Sequence, residues 1–192
     1  MIPRKHNFAL LSTLVLAACG GGGSDSGGDS PSPLAKYVGT YAFCDGNEKV
    51  QLSISTIDSR SISLIQRSDY YMDRNCVGAV VGTETQSAPL TATYVSTGTS
   101  TVIGYPSASS VATYVVDRLS INVPALTVSL TGTGVTTING QSCVVYSNGR
   151  ACIGGPPTPA QGVVGGLAFT DVALLLLTGT ATGYERDVAF PR

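Results

Sequence analysis

Five cysteines, Cys19, Cys44, Cys76, Cys143 and Cys152, are the side chains of this 192-residue chain best suited to covalent chemistry. A thiol can be acylated, oxidised to a disulfide, or deprotonated to bind a metal. Cys19 stands apart. It follows Leu16-Ala17-Ala18 and precedes Gly20–Gly23. The other four lie in the body of the chain, and an even number in an exported protein fits two disulfides. Of three possible pairings, neighbours are favoured: Cys44–Cys76 and Cys143–Cys152. In the chain-entropy model these loops contribute about 3.7 and about 2.7 kcal/mol. A four-thiolate metal site is the alternative, and the absence of any Cys-x-x-Cys counts against it.

Other chemistries are missing their parts. The only histidine is His6, which sits in a removable leader. Without it the remaining chain has no Ser-His-Asp or Cys-His machinery and no imidazole ligand for zinc. No Gly-x-Ser-x-Gly or Ser-x-x-Lys occurs. The glycines form no phosphate loop, so no cofactor is expected. Asp69, Asp73 and Arg74 flank Tyr70 and Tyr71, and Glu185 and Asp187 bracket Arg186. A carboxylate-based hydrolase needs two acids placed across a cleft. Nothing in the spacing fixes such a pair, so these read as solvated strand-edge charges.

The leader itself is informative. Arg4 and Lys5 form a positive start, and Phe8–Ala18 is apolar except for Ser12 and Thr13. That run falls well short of the roughly 20 residues that span a bilayer as a helix, and fits a cleaved export signal. Leu16-Ala17-Ala18-Cys19 resembles the lipobox of bacterial lipoproteins. The resemblance implies a diacylglyceryl group on the Cys19 thiol and cleavage ahead of that residue. The membrane is then a partner through a lipid anchor at Cys19. Because Gly20 replaces the Asp that favours inner-membrane retention in such proteins, the resemblance points to the outer membrane of a bacterial cell envelope. The plainer alternative is an ordinary signal peptide with an unmodified cysteine.

Three segments follow: a signal peptide over 1–18, a lipidated cysteine and tether over 19–33, and one domain over 34–192. Gly20–Pro33 reads GGGGSDSGGDSPSP, with no large apolar residue to offset its ordering entropy. As a coil it reaches about 20 Å. Removing residues 1–18 leaves nine basic and twelve acidic side chains, a formal charge of −3. With no basic cluster, nucleic acid is not expected as a partner.

The folded part must then be all β. Ser, Thr, Val, Ile and Tyr dominate, punctuated by Gly, Pro and Asn. Val50, Leu52 and Ile54 alternate with Gln51, Ser53 and Ser55, as in a sheet with one wet face. Strands are expected over 37–43, 49–56, 61–71, 79–85, 90–96, 111–122, 126–130, 134–138, 142–146, 150–153, 172–177 and 186–190, of which eight to ten pair. Thr-Gly-Thr at 97–99, 131–133 and 178–180 reads as turns. Residues 154–166 read as an irregular loop. Leu167–Leu177 is a strand from Val172 or a short buried helix. A direct Cys143–Cys152 bridge requires those residues to face each other, with the loop over Tyr146–Gly149 and Gly149 left-handed. These features predict an antiparallel barrel of eight to ten strands, with a β-sandwich as the alternative.

Gly39-Thr40-Tyr41 resembles the Gly-x-Trp start of lipocalins, with Tyr for Trp. In that likeness Arg186 packs over the aromatic ring. The family's Thr-Asp-Tyr signature is absent, and Ser68-Asp69-Tyr70 lies too early to replace it. The resemblance implies a barrel and a small apolar ligand. Taken together, the chain reads as an envelope-anchored lipoprotein with a non-enzymatic binding, structural or interaction role. Its possible partners are an apolar ligand or another envelope protein. A carrier and a hydrolase are the rival readings.

Overall fold

The computed structural model describes residues 32–192, so the expectations for Cys19 and the leader lie outside the described residues. After a short 3-10 turn at Ala35–Tyr37 come thirteen strands. They are β1 (Gly39–Asp45), β2 (Glu48–Thr56), β3 (Ser61–Asp73), β4 (Val77–Gln86), β5 (Leu90–Ile103), β6 (Val111–Val123) and β7 (Val128–Thr131). Then follow β8 (Val135–Ile138), β9 (Gln141–Tyr146), β10 (Gly149–Cys152), β11 (Ala160–Phe169), β12 (Ala173–Thr180) and β13 (Gly183–Pro191). Ten strands share one large sheet, and β8–β10 form a second. The count therefore exceeds the eight to ten expected. The large sheet is also mixed, because β13 runs parallel to β5 at Tyr184–Val102 and Glu185–Ile103.

β5 explains that mixture. Its first residues, Leu90–Thr93, pair with β3. Its register with β6 then shifts between Tyr94 and Ser96. The extra residue, Val95, turns the strand over. Before it, Ala92 and Tyr94 face the main core; beyond it, Val102 faces a second one. Thr97-Gly98-Thr99 therefore lies within a strand and not in a turn. Thr178-Gly179-Thr180 likewise completes β12.

The two cores share β11, β12 and β13. Leu167, Leu174 and Phe190 enter the main core, which also takes Leu52, Ile62, Ala92 and Leu119. Their sequence neighbours Ala168, Leu175 and Ala189 face the other way, against Val102, Val116 and Tyr184. The leucine run is thus a strand with apolar contacts on both faces, which is why its sequence does not alternate. β1 pairs with β2 and lies beside β13 with no ladder between them.

β11 also begins earlier than its glycines implied. A Cβ on Gly166 would lie 2.6 Å from Val116 Cγ1. Glycine here marks a close approach between packed strands, where a loop was expected from composition.

In the small sheet Cys143 faces Cys152 and Tyr146 faces Gly149. Cys143 facing Cys152 is the expected register, with Cα atoms 3.9 Å apart, but the connection is the two residues Ser147-Asn148 and not the four-residue loop expected over Tyr146–Gly149. Gly149 is not left-handed, however; it is the first residue of β10. Its missing side chain makes room for the Tyr146 ring, whose Cε2 would lie 3.3 Å from a Cβ there. This sheet docks by Val144 and Tyr146 on Tyr70 and Val81.

Candidate binding groove

β1 has two differently built ends. At its start, the Ala35–Tyr37 turn inserts Leu34 and Tyr37 into the main core, where they are 0 % and 1 % exposed. The backbone hydrogen bonds of this turn are local, for example Tyr37 N–H to Leu34 O at 3.0 Å. Side chains attach it. The Tyr37 hydroxyl donates to Asp117 at 2.6 Å and lies 3.1 Å from the Leu167 carbonyl oxygen. Lys36 Nζ meets the same carboxylate at 2.7 Å, and the Thr97 hydroxyl donates to its other oxygen. Burial alone would raise the Asp117 pKa. The hydrogen bonds from Lys36, Thr97 and Tyr37 outweigh it and hold the carboxyl below its usual range. Burial, reinforced by that carboxylate, drives the Tyr37 hydroxyl far above the ordinary tyrosine value.

At the far end of β1 three turns meet. The β1–β2 turn passes through Gly46, at φ 65°. The β3–β4 connection lies against it and holds two consecutive left-handed residues that are not glycine, Asn75 at φ 61° and Cys76 at φ 56°. Each costs about 1–3 kcal/mol and persists only where its surroundings enforce it. Here the Cys44–Cys76 disulfide, with Cα atoms 6.0 Å apart, and a 2.6 Å bond from Asn75 N–H to Gly46 O do so. The β9–β10 turn is the third. Ser147 donates its backbone N–H and its hydroxyl to the Met72 carbonyl, at 3.0 and 2.7 Å. Buried Asn47 donates to that carbonyl at 3.2 Å and to Tyr71 O at 3.1 Å.

Between the turns opens a groove of about 620 Å³, lined by Asp45, Asn47, Arg74, Asn75, Tyr146 and Asn148. Tyr146 supplies an aromatic wall, half-buried and braced on Gly149. Burial first, then the Glu48 carboxylate, pushes its hydroxyl pKa up, and Arg74 pulls it down. The lining offers amides, one acid, one guanidinium and one ring. A second polar groove, of about 440 Å³, opens where Ser96, Ser100, Arg118 and Thr182 surround the mouth of the second core.

The residues singled out in the sequence are placed unevenly. Both expected cysteine pairs form. Arg74 lines the groove, and Asp73 begins the strained connection. Asp69 is not a solvated edge charge. It is buried, and it accepts hydrogen bonds from Thr83 at 2.8 Å, Gln51 at 2.9 Å and Arg67 at 2.9 Å. Its buried strand position demands those partners. Tyr37 lies outside β1, in the turn before it. Tyr41 donates its hydroxyl to Tyr37 O at 3.0 Å and packs near Phe190. Arg186 does not cover it. Arg186 lies on β13 opposite Leu177 of β12, and the cations over aromatic rings at this end are Arg192 above Phe169, 4.3 Å from the centroid, and Lys36 above Tyr37, 5.0 Å from it.

Asp117 and the groove asparagines were not singled out. The signal for Asp117 was present: it is the one charge on a strand face that also carries Val115, Leu119, Ile121 and Val123. Asn47 and Asn148 look like ordinary turn residues, and only the meeting of turns distant in sequence makes them a lining. Among the described residues no group of three or more His, Cys, Asp or Glu is placed to hold a metal ion. Comparison with protein-family models, with curated proteins and with solved structures found no match.

Proposed function

We propose that this chain is a lipid-anchored protein of the bacterial outer membrane whose one folded domain acts by non-enzymatic binding at the braced groove. The two ends of β1 carry the reading. The segment that would lead from a lipidated Cys19 enters the domain at Leu34 and is locked by Tyr37 and Lys36 onto Asp117. The groove begins at Asp45, seven strand residues away. At about 3.3 Å per residue, that separates leash and groove by roughly 20 Å. A domain tethered at the first end leaves the second clear of the attachment point.

We read β1, β2, β3, β5, β6, β11, β12 and β13 as an eight-stranded barrel, with β1 beside β13 at the seam. Each of the eight contributes a side chain to the main core. Leu34, Tyr37 and Phe190 fill that interior. This favours a working surface outside the barrel over carriage of a small apolar ligand inside it, which would require the Leu34–Tyr37 plug to leave.

The anchor is tested by expressing the wild type and Cys19→Ser in a bacterial host. The wild type is expected in the membrane fraction, with acyl mass on the peptide that begins at Cys19. The variant is expected to lose both. Recovery of the wild type as a free, unacylated protein would overturn the anchored reading.

A further inference from the structure

We propose that the groove between the three turns binds a neutral saccharide, as a terminal mono- or disaccharide unit of a larger glycan. The inference rests on the groove being the working surface of the domain.

The lining matches that chemistry. Asn75 and Asn148 bring exposed amides, which present donor and acceptor side by side, as neighbouring hydroxyls do, while buried Asn47 spends its amide hydrogens bracing the turns. Asp45 and Arg74 extend this with one charge of each sign. A phosphate or nucleic acid would call for clustered cations, and Arg74 is the only cation in the lining. An apolar ligand would find one ring and no aliphatic side chain. That ring, half-buried Tyr146, lies in the lining, and an aromatic wall is the kind of surface against which the C–H side of a pyranose packs.

Preorganisation is the second argument. A hydroxyl-rich ligand exchanges water hydrogen bonds for protein ones and gains little from each. A saccharide site therefore cannot also bear the cost of ordering its own loops. This groove bears none at the moment of binding. Its three turns are already joined through the Met72 carbonyl, the Cys44–Cys76 bridge and the Asn75–Gly46 bond. The strain at Asn75 and Cys76 has no evident use in packing, since both sit at the surface side of the turn and neither belongs to a core cluster. The volume falls in the range of small-molecule sites.

The test uses full-length protein in detergent and saturation-transfer NMR. The probes are methyl β-glucoside, methyl α-mannoside, methyl β-N-acetylglucosaminide and cellobiose, with inorganic phosphate, read by phosphorus-31 line broadening, as the off-class probe. At least one sugar is expected to receive saturation from tyrosine ring protons. Asn148→Ala, on an exposed turn, and Tyr146→Ala are expected to weaken that sugar about tenfold or more, whereas Tyr146→Phe keeps it. Circular dichroism of each variant reports the fold. Silence from all four sugars with folded wild type overturns the proposal, as does binding that Asn148→Ala and Tyr146→Ala leave unchanged. Phosphate binding without sugar binding overturns the saccharide class and leaves the groove as a binding site. The acyl mass on Cys19, read on the same preparation, tests the anchor separately.

Discussion

Tyr37 donates its phenolic hydrogen to Asp117 across eighty residues of sequence, at 2.6 Å. Asp117 stands where one face of β6 leaves the main core. Leu119 on that face is buried, and Val115 is 60 % exposed. A carboxylate at this border is sealed only because the N-terminal turn lies over it. The turn in turn has no ladder to hold it. Each therefore depends on the other, and the contact fastens the N-terminal turn to the rest of the domain.

Tyr37→Phe should consequently destabilise the domain by about 1–3 kcal/mol, the cost of removing one partner of a buried hydrogen bond. Leu34→Ala should cost about 2–5 kcal/mol, as for other buried leucines. Urea denaturation read by circular dichroism measures both. Values near zero would mean that the turn does not seal the core.

The same contact sets a pH dependence. The Asp117 pKa is lowered in the folded state, so its contribution is fully present above the unfolded value of about 3.9. It is lost as the pH falls through the folded value. Stability measured from neutral pH down to strongly acidic pH should decline below about pH 4. Asp117→Asn should be less stable at neutral pH and should flatten that decline. An unchanged slope in the variant would assign the acid sensitivity elsewhere.

Sequence reading succeeded where one physical rule acted alone. Val50, Leu52 and Ile54 alternate because β2 buries one face, and the cysteine geometry fixed the Cys143–Cys152 register. It failed where two demands fell on one residue. Gly165 and Gly166 read as loop because glycine favours loops, yet they are strand residues chosen for close packing. Thr97 reads as a turn, yet the bulge at Val95 keeps it in β5, where it reaches Asp117. The groove was illegible for a third reason. Its residues come from three turns tens of residues apart, and no local pattern reports that they meet.

The shared β12 makes a sharper test of the fold. Leu174 and Leu175 are consecutive, and both are 0 % exposed, one in each core. In a sheet with one wet face, every second alanine substitution is tolerated. Here Leu174→Ala and Leu175→Ala should each cost about 2–5 kcal/mol. A tolerant Leu175→Ala would mean that the second core is not packed as described.

Gly82 sets how the small sheet sits on the large one. A Cβ at this position would lie 2.6 Å from Val144 Cγ2 and 3.1 Å from its Cβ. Val144 is β-branched and fully buried, so its stiff side chain cannot turn away within the cluster with Tyr70 and Val81. Gly82→Ala must therefore push β9 outward or tilt β4. Tyr146 and Asn148 are carried on β9 and its turn, so the groove widens with it. Hydrogen exchange should show faster exchange in residues 135–152 of Gly82→Ala, while β12 and β13 keep wild-type protection. Uniform loss of protection across all strands would instead mean that the two sheets unfold as one unit, with Val144 as an integral part of a single core.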